Sequence, residues 1–188
     1  DGCMEKDGGP VIGIQIENEY GHVGGLQGPE GEAHIRTLTA MAKEIGFDVP
    51  LYTATGWGGA CIGDLLPVMG GYCEAPWDQR TCEIEPNANF VFSHTRNDAL
   101  IACDHHVENA NSYNEEDFPF LTAELGGGLQ VTMHRRPVAK GCDVGAMSTV
   151  KMGSGAGLLG YYMYHGGSNP KGKLSTLQES RATGYLND

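Results

Sequence analysis

Short apolar runs alternate along this chain with stretches of helical period. The first run, Val11 to Ile16, is rich in β-branched residues, with Gly8-Gly9-Pro10 before it and a glycine-rich stretch after it, which predicts a strand. A helix follows: Pro29 and Glu30 sit at its start, Ile35, Leu38, Ala42 and Ile45 recur at helical spacing, and Gly46 stands where a terminating glycine belongs. Pro50 to Thr55 predicts a second strand, closed by Gly56-Trp57-Gly58-Gly59. Cys61 to Leu66 reads as a short helix, and Val68 to Cys73 as a weaker strand running into Glu74-Ala75-Pro76-Trp77. Helices are expected over Pro86 to His94, Ala99 to Asn109 and Val144 to Met152. Phe118 to Leu125 is a strand that stops at Gly126-Gly127-Gly128, and Leu158 to Tyr164 a strand that ends in Gly166-Gly167.

Five short strands alternating with helices indicate an α/β fold, a parallel sheet covered by helices. Periodicity does not choose between an open doubly wound sheet and part of a barrel. In both, the residues that carry function lie just after the strands. Neither a repeat nor a linker divides the chain.

Composition narrows the partners. A net charge of −12 over 188 residues argues against nucleic acid and against an anionic membrane surface, whereas a neutral ligand such as a sugar suits it. With 40% apolar residues there is enough to build a core, and the 29 glycines are clustered, as tight loops after strands require. Cys3, Cys61, Cys73, Cys82, Cys103 and Cys142 are too sparse for a disulfide scaffold; a reduced, cytoplasmic set is favoured over a Cys73–Cys82 pair. There is no N-x-[ST] sequon, no signal peptide and no apolar run long enough to span a bilayer. The chain starts at a polar stretch without Met, so localisation stays open to an upstream signal peptide.

The chemistry stands at two strand ends. With period two, Ile12, Ile14 and Ile16 share a face expected to pack on helices, and Gly13, Gln15, Glu17 and Glu19 share the other. In a barrel that second face points inward, where a carboxylate needs a partner or a task; the alternative is that Glu17 and Glu19 are salt-bridged or solvated. Glu124 repeats the arrangement at the end of Phe118 to Leu125. Two carboxylates delivered by different strands to one rim meet the requirement of glycoside hydrolysis, one protonated to donate to the leaving oxygen and one ionised to attack the sugar. Trp57 and Trp77 each follow a strand and are sugar platforms or core residues with equal weight. Tyr162 and Tyr164 share one face of the last strand, with Tyr164 nearer the rim.

Other signals point elsewhere only weakly. Gly155-Ala156-Gly157-Leu158-Leu159-Gly160 matches a dinucleotide fingerprint in form, but it follows a helix and opens a strand, the reverse of what that motif needs. Cys103-Asp104-His105-His106 lacks the spacing and second cluster of a metal site, and no G-x-S-x-G elbow supports a serine triad. Arg135-Arg136-Pro137 reads as a structural basic patch.

The string from Gly8-Gly9-Pro10 through Gln15-Ile16-Glu17-Asn18-Glu19-Tyr20-Gly21 resembles the GGP-x-I-x-x-Q-x-ENEYG signature of glycoside hydrolase family 35, the β-galactosidases. Tyr161-Tyr162-Met163-Tyr164-His165-Gly166-Gly167-Ser168-Asn169 is similar to the same family's YMxxGGTN segment. The resemblance implies a partial TIM barrel, approximately strands 4 to 8 of (β/α)₈, with residues 1–188 forming the C-terminal portion of a catalytic domain. It also implies a retaining exo-β-galactosidase with Glu19 as acid/base, Glu124 as nucleophile and Asn18 at the sugar 2-hydroxyl. Trp57, Trp77 and Tyr164 are the remaining candidate substrate contacts. Glu124 lies in Thr122-Ala123-Glu124-Leu125 rather than a TEF or TEW context, and Pro170-Lys171 follow the last segment, which implies a divergent, bacterial-type member. No cofactor or metal is expected, the partner is a β-galactoside oligosaccharide or glycan, and the oligomeric state is open. The rival readings are another exo-β-glycosidase of the same clan, such as an exo-β-glucosaminidase, and a non-catalytic carbohydrate-binding remnant.

Overall fold

The computed structural model describes residues 2–22, 24–54, 59–73, 88–94, 96, 112–126 and 138–162. Five strands form one parallel sheet: β1 (Ile14–Asn18), β2 (Leu51–Ala54), β3 (Leu66–Tyr72), β4 (Thr122–Gly126) and β5 (Tyr161–Tyr162). Their spatial order is their chain order, β1-β2-β3-β4-β5. A doubly wound sheet reverses direction at a switch point; this one never does, so the sheet curls as a half-barrel.

Among the described residues, two helices lie over the sheet's outer face. The helix α1 (Gly28–Ile45) begins with Pro29 in its first turn and ends on Gly46, whose left-handed φ of 100° lets its N–H reach the Ala42 and Lys43 carbonyls. Ile35 and Ala42 are buried against Leu51, Cys61 and Leu65, with Ile14, Ile16 and Phe47 packed alongside. Thr39 completes the buried stripe, while Ile45 lies beyond the contact and is 71% exposed. The second helix, α2 (Gly141–Gly153), starts where the Asp143 carboxylate accepts the Lys140 backbone N–H at 2.7 Å. Its Met147 is buried with Leu125 of β4 and with Cys73. Among the described residues no helix is long and apolar enough to cross a membrane.

Several expectations change in detail, and β4 begins at Thr122 rather than Phe118 and β5 at Tyr161 rather than Leu158. The first strand begins at Ile14 rather than Val11, because the Val11 backbone is engaged with Cys3 and Glu5, and Ile12 is left 66% exposed. Cys61 to Leu66 is a turn leading into β3, not a helix. Its N–H groups are taken elsewhere: Cys61 N–H by the Tyr20 carbonyl at 2.8 Å, and Ile62 and Gly63 N–H by the Glu32 carboxylate at 3.2 and 2.7 Å. Within Pro86 to His94 the described part is only a 3₁₀ turn, Ala88–Phe90, followed by irregular chain, since Asn89 turns into the core instead of continuing a helix. The expected helix over Ala99 to Asn109, the Arg135-Arg136-Pro137 patch and the Cys103 to His106 cluster lie outside the described residues, as does Cys82.

The approach to β4 is held by Arg96. Its guanidinium donates to the Glu115 and Phe118 carbonyls at 2.6 and 2.8 Å and lies 5.6 Å from the centre of the Phe120 ring. The glycines between α2 and β5 serve the sheet: Gly157 N–H donates to Phe120 O at 2.8 Å and Gly160 N–H to Thr122 O at 2.9 Å. That is a helix-to-strand connection, as the order of elements in the sequence requires.

Candidate active site

Strand register sorts the side chains onto two faces. Gln15 pairs with Tyr52 and Asn18 with Ala54, so three steps on β1 match two on β2. One extra residue is accommodated between Gln15 and Asn18, where Glu17 takes a left-handed φ of 60°. This bulge puts Asn18, and not Glu17, on the face of Gln15. The Gln15 amide donates to Asn18 Oδ1 at 3.0 Å and to the Glu17 carbonyl at 2.9 Å, locking the bulge. Because Asn18 Oδ1 is the acceptor there, its amide nitrogen is left to act as a donor. Glu19 follows with a second left-handed φ, of 53°. Two departures of this kind one residue apart, in residues with side chains, are strain of the sort that collects at functional sites.

A second irregularity precedes the other carboxylate. Met69 pairs with Thr122, but the next residue, Gly70, pairs with Glu124, so Ala123 is extra. Beyond it the faces alternate cleanly. Leu125 points outward to α2, and Tyr161 follows it outward, its hydroxyl 3.1 Å from the Ser148 hydroxyl. Glu124, Tyr72 and Tyr162 share the inner face, since Tyr72 and Tyr162 both pair with Gly126.

On that inner face the Tyr72 hydroxyl donates to Glu124 Oε1 at 2.5 Å. The contact needs glycine at 126, because a Cβ there would stand 2.2 Å from Tyr72 Cε1. Burial, and then the negative charge of Glu124, push the Tyr72 hydroxyl far above its ordinary value, so it stays protonated and remains a donor.

The two carboxyls are both displaced upward. Burial, and then the charge of Glu124, raise Glu19 to about 7. Burial raises Glu124 too, but the Tyr72 hydrogen bond opposes it. Glu124 therefore ionises first and Glu19 holds its proton to near neutrality, which divides the pair into an anion and an acid. Removing the donor tests that division. Tyr72→Phe is expected to lift the acidic limb of the pH–activity profile, because the ionised form of Glu124 loses its stabilising bond. The expected loss in kcat/KM is about 10- to 100-fold, the range of a hydrogen bond to a charged group. An unchanged acidic limb would show that the phenol does not tune this carboxylate.

Of the residues singled out in the sequence, Asn18 ends β1 and Glu19 follows it, whereas Glu124 is the middle residue of β4 rather than its end, and the charge of Glu124 is felt at Glu19. Glu17 instead turns its carboxylate to the Asn18 N–H, 3.3 Å away, and is exposed. Trp57, Trp77 and Tyr164 lie outside the described residues. Tyr72 was not anticipated as a site residue. Its signal was positional, a phenol closing the predicted Val68 to Cys73 strand just as Glu19 and Glu124 close theirs.

The family model for glycosyl hydrolases family 35 matches residues 2–187. The chain belongs to that family. Beta-galactosidase 17 of Arabidopsis thaliana is 45% identical over 54 residues, which is 28% of this chain and 7% of that protein. Beta-galactosidase 6 of Oryza sativa subsp. japonica is 41% identical over 49 residues, 26% of this chain and 6% of the rice protein. The matched stretches thus span a small part of each plant relative. No solved structure matches the chain.

Proposed function

We propose that this family 35 chain carries the catalytic pair of a retaining exo-β-galactosidase that releases terminal, non-reducing β-D-galactose. What supports this reading most is the division between the two carboxyls: Glu19, partly buried and facing the charge of Glu124, is pushed up to about 7, while Tyr72 holds Glu124 toward its ionised form. The names of the two plant relatives favour galactose over other sugars.

In this mechanism Glu124 attacks the anomeric carbon as the glycosidic C–O bond breaks, and Glu19 gives its proton to the departing oxygen. Glu19, now a carboxylate, takes a proton from water, which attacks the anomeric carbon and frees Glu124 with the configuration retained. Asn18 donates to the sugar 2-hydroxyl through the amide nitrogen that Gln15 leaves unoccupied. Retention calls for about 5–5.5 Å between the two carboxyl groups, enough for one anomeric carbon and no intervening water. Trp57, Trp77 and Tyr164 are the proposed further sugar contacts. The five strands are assigned to strands 4 to 8 of a (β/α)₈ catalytic barrel. No step calls for a cofactor.

The test is hydrolysis of p-nitrophenyl β-D-galactoside beside its glucoside, fucoside and glucosaminide analogues by the purified protein, with the configuration of the first product followed by NMR. Galactoside turnover giving β-galactose is the expected result. Turnover of the glucosaminide alone would keep the mechanism and move the specificity. Sugar binding without any turnover would favour a carbohydrate-binding remnant over an enzyme.

A further inference from the structure

A buried amide stands behind the strand that carries Tyr72. Asn89, in the 3₁₀ turn Ala88–Phe90, is 1% exposed, and its Nδ2 donates to the Tyr72 carbonyl at 3.1 Å. The turn lies on the outer face of β3, opposite the inner face where the Tyr72 ring reaches Glu124. β3 is shaped to admit it: a Cβ at Gly71 would stand 2.8 Å from Asn89 Oδ1 and 3.3 Å from Lys151 Cε of α2. Lys151 is itself 5% exposed, so helix, turn and strand close together at this point.

We propose that Asn89 is a positioning residue for the reaction, anchoring the backbone of Tyr72 so that its hydroxyl stays on Glu124 Oε1. The inference rests on the assignment of Glu124 as nucleophile. Tyr72 is the last residue of β3, where the ladder with β4 ends and pairing alone no longer restrains the chain. A hydroxyl 2.5 Å from its acceptor tolerates little displacement, since a hydrogen bond weakens steeply once distance and angle slip. A donor fixed to the Tyr72 carbonyl from the outer face restrains that peptide and, through it, the ring on the inner face. The family of contacts runs across the sheet: turn, strand backbone, phenol, carboxylate.

The experiment is a double-mutant cycle on the purified protein, read as kcat/KM across pH with the aryl galactoside. Asn89→Ala is expected to lower kcat/KM about fivefold, the typical effect of one neutral hydrogen bond, and to raise the acidic limb. Asn89→Asp keeps the shape but loses the donor, and is expected to follow Asn89→Ala rather than the wild type. In the Tyr72→Phe background Asn89→Ala is expected to change kcat/KM less than twofold and to leave the acidic limb where Tyr72→Phe put it. Full additivity in that background, or an unmoved acidic limb in Asn89→Ala, would overturn the proposal. Should the Asn89 variants fail to fold, Gly71→Ala, which displaces the amide from the strand side, is read in the same cycle with the same expectations. If Tyr72→Phe leaves the limb unmoved and Glu124→Gln remains active, the fault lies with the assignment of Glu124 and not with Asn89.

Discussion

Glu124→Gln is expected to lower turnover of p-nitrophenyl β-D-galactoside by roughly 10⁴-fold or more, in line with the loss of a nucleophile from a preassembled site. The amide nearly matches the carboxylate in volume, so the effect is chemical. It has no charge to attack the anomeric carbon and none to stabilise the positive charge that develops there. The shorter variant, Glu124→Gly, leaves a gap beside Tyr72 that a small anion can enter. Azide added to it is expected to restore cleavage and to yield the galactosyl azide of inverted configuration, because only the first displacement then occurs. A Glu124→Gln enzyme retaining more than about a tenth of wild-type activity would remove Glu124 from the role of nucleophile.

Glu19→Gln is expected to lose activity and to gain stability at neutral and alkaline pH. Its carboxyl is raised from 4.5 to about 7 by burial first and by the charge of Glu124 second. A carboxyl whose folded value exceeds its unfolded value contributes stability that is fully present below the unfolded value. That contribution is lost as pH rises through the folded value. Between about pH 4.5 and 7 the ionisation of Glu19 should therefore cost the folded state roughly 3 kcal/mol. Glutamine is neutral throughout, so the variant should match the wild type near pH 4 and melt several degrees higher at pH 8. Activity should move the other way: loss of the acid costs about 10²- to 10⁴-fold on a substrate with a sugar leaving group, and less in the first step for the acidic p-nitrophenol. The basic limb near pH 7 should vanish with the residue that causes it. A Glu19→Gln protein less stable than the wild type at pH 8 would mean that Glu19 is held ionised in the folded state, contrary to its role as acid.

These two experiments separate the paired roles, and Tyr72 links them. Its hydroxyl keeps Glu124 the stronger acid of the two, and the charge so maintained helps keep Glu19 protonated. Loss of Tyr72 should thus weaken both carboxyls in their roles, which is why its pH profile carries more information than its rate.

Local chemistry in the sequence was enough for the five strands and the two described helices, and it singled out two carboxylates as candidates. Pro29, the Ile35 and Ala42 stripe and Gly46 specify α1 within a few residues, because caps and helical period act over one or two turns. Glu19 and Glu124 stood out since an acidic residue ending an apolar run before glycines is anomalous in any parallel sheet. The Gly8 to Gly21 string pointed to the family that the model match over residues 2–187 then showed. Strict alternation, by contrast, put Glu17 beside Gln15 and Glu19, and the bulge put Asn18 there instead. A bulge depends on what the neighbouring strand offers, and β2 lies more than thirty residues farther along the chain.

The rest required the closed-up molecule. Whether five parallel strands wind one way or reverse is a matter of which edges meet, and no local period records it. Tyr72 reaches Glu124 across 52 residues of chain, and Asn89 reaches Tyr72 across 17 from a turn that the sequence presented as helix. The sequence by itself singled out the candidate carboxylates and the strands that carry them. Only the tertiary structure decided which of them face one another, because the bulges that re-aim them and the burial that sets their protonation arise from contacts between distant segments.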